Sequence, residues 1–79
     1  MDFALNDEQK AQLAEIDSSF TAKIAERELF LKGEIAKARA TGSTDEAESL
    51  ANQLAMDVRR LREDCDAKKE KLRASFAQG

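Results

Sequence analysis

The sequence predicts an all-α fold, a two-helix antiparallel coiled-coil hairpin with hendecad (3-4-4) core spacing that dimerises into a four-helix bundle. Three observations lead there. The composition is that of long helices, apolar residues recur every eleven positions in both halves, and one stop-and-start signal lies between them at Gly42-Ser43.

The composition comes first. The chain has 79 residues, enough for one domain, taken as residues 1–79. Charged residues make up 37%, proline, tryptophan and tyrosine are absent, and glycine occurs only at positions 33, 42 and 79. Such a balance belongs to long helices and coiled coils. A chain this short buries little on its own and often needs a partner, a metal or disulfides. A single cysteine, Cys65, excludes an internal disulfide, and without histidine it makes no zinc site. No apolar run is long enough for a membrane span, and the N-terminal residues lack signal-peptide character. The expectation is a cytoplasmic protein without a cofactor. Its net charge of −3 gives no global attraction to nucleic acid.

The first helix is expected over about residues 6–41. Its strong apolar positions are Leu13, Ile16, Phe20, Ile24, Leu31, Ile35 and Ala38. Leu13, Ile24 and Ile35 are eleven apart, and so are Phe20 and Leu31. Eleven residues over three turns lie close to the natural period of the α-helix, so the stripe stays on one face. Asn6 with Gln9 offers an N-terminal cap, with Asp2 as an earlier alternative. Lys37 and Arg39 suit the negative end of the helix.

The turn is expected at residues 42–43. Gly42 suits a left-handed position after a helix end. Ser43 with Glu46 reads as a capping box for the next helix.

The second helix is expected over about residues 44–77. It repeats the spacing with Ala47, Leu50, Leu54, Val58, Leu61, Cys65, Leu72 and Phe76. A connection this short makes the helices antiparallel neighbours. Facing residues then have numbers summing to about 85. Ala38 meets Ala47, Ile35 meets Leu50, and large Phe20 meets small Cys65, which interdigitated packing favours. Arg27 opposite Val58 and Lys69 opposite Ile16 are expected to lie along the seam and extend their charges to water.

Charge agrees with this register. Residues 1–26 hold six acids and two bases, against seven bases and four acids in residues 59–79. Residues 27–41 hold four bases and two acids, against four acids and no base in residues 45–58. Acidic stretches therefore face basic ones along the whole hairpin.

A second regular face lies on the first helix, opposite the core stripe. It comprises Ala11, Ala14, Ser18, Ala22, Ala25, Leu29, Gly33, Ala36 and Ala40. Small side chains let a neighbouring helix approach closely, and a mid-helix glycine costs roughly 0.5–1 kcal/mol against alanine, so Gly33 calls for a reason. The expected partner is a second copy of the chain or another helical protein. Phe30 lies on a flank, and Phe3, Leu5 and Phe76 are expected to gather at the open end.

Few groups could do chemistry. Without histidine or tyrosine there is little from which to assemble a nucleophile and base, and no phosphate-cradling glycine loop occurs. Cys65 falls in the core stripe, where it acts as a small hydrophobe. The basic segment Arg59, Arg60, Arg62, Lys68, Lys69, Lys71 and Arg73 is broken by Glu63, Asp64, Asp66 and Glu70 and has no interleaved aromatics. This pattern disfavours nucleic acid, although a nucleic-acid-binding dimer of hairpins is one alternative reading.

The stretch Ile35-Ala36-Lys37-Ala38-Arg39-Ala40-Thr41-Gly42, followed by Asp45, Glu46, Ala47 and Glu48, resembles the hairpin tip of Gre-type transcript-cleavage factors. The resemblance implies a regulatory arm that presents Asp45 and Glu46 to the secondary channel of RNA polymerase, where such tip acids help hold a catalytic Mg²⁺. The sequence departs from that family at Ser43, where the family has an acid, and these residues hold no second, polymerase-anchoring domain.

Overall fold

The structure, a computed structural model, describes residues 4–78. Two helices make up the fold, α1 (Asp7–Ala40, 34 residues) and α2 (Thr44–Gln78, 35 residues). They pack antiparallel as a hairpin measuring 57 × 18 × 14 Å. Phe3, Asp2 and Gly79, and with them the earlier cap and part of the open-end cluster, lie outside the described residues.

Helix α1 opens with the expected reciprocal cap. The Asn6 side chain accepts the Gln9 amide at 2.7 Å, and the Gln9 side chain accepts the Asn6 amide at 3.0 Å. Two of the four unpaired amides of the first turn are satisfied in this way. The α1 C-terminus closes on Gly42, whose φ is +75°. The Ser43 amide donates to the Ala38 carbonyl at 2.8 Å, and the Gly42 amide donates to Arg39 at 3.1 Å. These two bonds form the Schellman arrangement, which needs a residue free to enter the left-handed region.

The start of α2 differs from expectation. The Ser43 hydroxyl turns back to the Thr41 hydroxyl at 3.2 Å and does not cap the Glu46 amide. Thr41 in turn lies 3.1 Å from the Ala38 carbonyl. A hydroxyl relay across the turn thus replaces the expected Ser43–Glu46 box. Asp45 and Glu46 remain in the first turn of α2, where negative charge complements the helix dipole.

Between the helices runs a single seam. Leu13, Phe20, Leu31, Ile35 and Ala38 of α1 are buried with Ala47 and Cys65 of α2. Leu31 is the most enclosed, at 2% exposure. Near the turn, Ile35, Ala38 and Ala47 form a cluster closed by Leu50, Ala51 and Leu54. Ile16, Ile24, Val58, Leu61 and Leu72 are half-buried, because one opposing helix covers only one stripe. At the open end Leu5 and Phe76 are half-buried as well.

The two mixed layers are resolved by ion pairs. Arg27 meets Asp57 across the seam at 3.4 Å with its side chain 46% exposed. Lys69 meets Asp17 at 2.8 Å and is only 18% exposed. The expectation that Lys69 extends to water is therefore corrected. Asp17, beside Ile16 on the flank of α1, takes the ammonium group.

Candidate assembly face

The face of α1 that points away from α2 is assembled by helical spacing alone. Ala11, Ala14, Ser18, Ala22, Ala25, Leu29, Gly33, Ala36 and Ala40 recur at steps of three and four, half a turn away from the core stripe. All nine are exposed. Leu29 is 79% exposed, and Phe30 on the adjoining flank is 61% exposed. A methyl group added at Gly33 would meet no atom within 4 Å. Packing inside the hairpin thus gives no reason for glycine at this position.

The two helices differ in a way that isolates this face. Apolar residues lie on two opposed sides of α1, so they nearly cancel as a direction, whereas those of α2 point one way. The back of α2 is laced with charge, including Arg59–Glu63 at 3.2 Å and Arg73–Glu70 at 3.7 Å. Met56, 67% exposed, is the large apolar exception there.

A polar cluster sits on one side of the seam. Asp17 accepts from Lys69, and the Cys65 thiol points to the same carboxylate at 3.5 Å. The Lys69 hydrogen bond holds the Asp17 carboxyl below its ordinary pKa, despite some desolvation. The same bond raises Lys69. Desolvation pushes the Cys65 thiol up, and the Asp17 charge adds to that. A thiol so held stays protonated, which makes it a weak nucleophile. The cluster joins α1 to α2 across the seam. On the opposite side of the seam, the Lys23 ammonium lies over the face of the Phe20 ring, 4.5 Å from its centroid.

At the tip, Asp45, Glu46 and Glu48 are all exposed. Among the described residues no three carboxylate, thiol or imidazole groups are placed to share a metal ion. The basic stretch of α2 is partly engaged, with Arg59, Lys69 and Arg73 each ion-paired. A groove of about 350 Å³ beside Phe30 is lined by Lys23, Glu26, Arg27 and Leu61 and runs along the surface of the rod. Among the described residues no helix is long and apolar enough to cross a membrane.

Sequence reasoning located the outward face of α1 and the tip acids. It missed the Asp17–Lys69–Cys65 cluster and the Arg27–Asp57 pair. The pairing rule contained the signal, since both ion pairs obey the register within one residue. Asp17 and Asp57 lie on the flanks of the apolar stripe and not within it.

Taken together, the geometry defines an all-helical structural module, a rod with one charged back and one uncharged apolar back. The chain belongs to the family described as phage major capsid protein E, whose family model matches residues 10–79. That family is a structural one, and the chain is not an enzyme. No curated protein and no solved structure matches it.

Proposed function

We propose that the chain is a structural assembly module that acts by packing α1 against a helix of another copy of itself, as a building element in a capsid-related setting. The observation that supports this reading is the uncharged outward face of α1, exposed from Ala11 to Ala40. In this reading residues 1–79 act as one hairpin domain, and two hairpins join as a four-helix assembly. Recurrence of Leu13, Ile24 and Ile35 every eleven residues supports a hendecad seam with little supercoil. The unpaired thiol of Cys65 fits a reducing, cytoplasmic setting.

Surface area supports the need for a partner. A compact chain of 8.8 kDa would expose about 4,800 Å² by surface–mass scaling, whereas this one exposes 6172 Å². The excess of about 1,400 Å² exceeds the ~800 Å² that each partner contributes to a standard interface. Sedimentation equilibrium should give twice the 8.8 kDa chain mass, and Ala25→Glu should return it to the chain mass. A mass that does not change with that substitution overturns the reading.

A second reading rests on Asp45 and Glu46, exposed at the tip of a 57 Å rod, where they could be presented to a larger machine such as RNA polymerase. Loss of function on Asp45→Ala with Glu46→Ala, with folding and mass intact, would favour it. Salt-dependent binding of RNA or DNA would instead favour a nucleic-acid-binding dimer of hairpins.

A further inference from the structure

We infer that the outward face of α1 takes the α1 of a second copy in antiparallel orientation, about a two-fold axis near Ala25. This rests on the self-assembly reading above and specifies its geometry. Large and small side chains carry the first part of the case. With the axis near Ala25, exposed Leu29 of one copy falls opposite Ala22 of the other, and Gly33 falls opposite Ser18. Ala40 then falls opposite Ala11. Each bulky position meets a small one, and the glycine removes a methyl group where two backbones come together. Parallel packing in register would set Leu29 against Leu29 and leave Gly33 facing Gly33 across a gap.

Charge carries the second part independently. From Asp7 to Glu26, α1 holds five acids and two bases, and from Arg27 to Ala40 it holds four bases and two acids. Antiparallel pairing lays each acidic half along a basic half, while parallel pairing sets like against like. On one flank Glu15 meets Lys37 of the second copy, and symmetry repeats the pair. The two Glu26 side chains approach each other beside the axis, the one like-charge contact of this pairing.

The resulting shape is specific. The docking face lies opposite the seam, so the four helices form a twisted row in the order α2, α1, α1, α2. The interface uses the same patch on both copies, so it closes on itself and stops at two.

Disulfide mapping in the full chain tests this, with Cys65→Ala removing the native thiol. Ala25→Cys should oxidise to a covalent dimer by itself. Ala11→Cys and Ala40→Cys should each stay uncrosslinked alone and should crosslink with each other when mixed. Circular dichroism confirms folding, since all three positions are exposed. A covalent dimer from Ala11→Cys alone, with the wild type sedimenting at twice the chain mass, overturns the antiparallel geometry and leaves self-assembly standing. A wild type that sediments as a single chain at every concentration overturns both and leaves the face to a different protein.

Discussion

Lys69 and Asp17 meet across the seam at 2.8 Å, and the Cys65 thiol points to the same carboxylate. The pair couples folding to pH in two directions. The Asp17 pKa is lowered on folding, so its contribution is present above about pH 4, the unfolded carboxylate range, and is lost as pH falls through the lower folded value. The Lys69 pKa is raised, so its contribution is present below about pH 10.4 and is lost as pH rises through the higher folded value. Urea midpoints should therefore favour the wild type over Asp17→Asn at neutral pH, with the gap closing in acid. Equal gaps at both pH values would disprove the coupling.

Leu31 is the anchor of the seam at 2% exposure. Leu31→Ala should cost about 2–5 kcal/mol, the range for deleting an enclosed leucine side chain. A two-helix hairpin has little stability in reserve, so the expected outcome is a chain largely unfolded at the concentration where the wild type is folded. Circular dichroism on dilution decides it, and undiminished helicity would show that the seam tolerates the cavity.

Two glycines should respond to the same substitution with opposite signs. Gly42 sits at φ +75°, where a β-carbon is strained by about 1–2 kcal/mol. Gly33 is helical with open space around it, so Gly33→Ala should gain roughly 0.5–1 kcal/mol in the single hairpin. Urea midpoints measured below the assembly concentration test both. Under assembly conditions the Gly33 gain should shrink, because the added methyl group then meets the second copy.

Cys65 should resist modification. It is 8% exposed and its thiol pKa is pushed up, so a disulfide-forming thiol reagent should react slowly with the folded chain and fast in denaturant. The rate in Asp17→Asn separates the two causes. A rise without loss of helicity would assign part of the protection to the neighbouring charge, and an unchanged rate would assign all of it to burial.

Most of the fold was legible because helix signals are local. The Asn6–Gln9 cap and the Gly42 turn each depend on residues within one turn of one another. The Ala38–Ala47 layer follows from the turn position by counting. The Ser43–Glu46 box failed for an equally local reason, since Thr41 competes for the same hydroxyl two residues away. Lys69 was misread because its neighbour comes from the far helix. Asp17 is 52 positions earlier in the chain and lies off the apolar stripe, so both the register and the flank must be known before the pair appears. The outward face of α1 was readable from spacing, whereas its full exposure depends on where α2 lies.

The turn at Gly42 has a mechanical corollary. Residues 7 and 78 sit at the same pole of the rod, so tension applied between them would not shear the helices past one another. It would peel them apart like a zipper, opening the end around Phe76 first, then Leu72 from Leu13, and reaching the alanine layer beside the turn last. Such a geometry yields gradually at low load, and the rod would serve as a compliant tether at that pole and a stiff strut everywhere else.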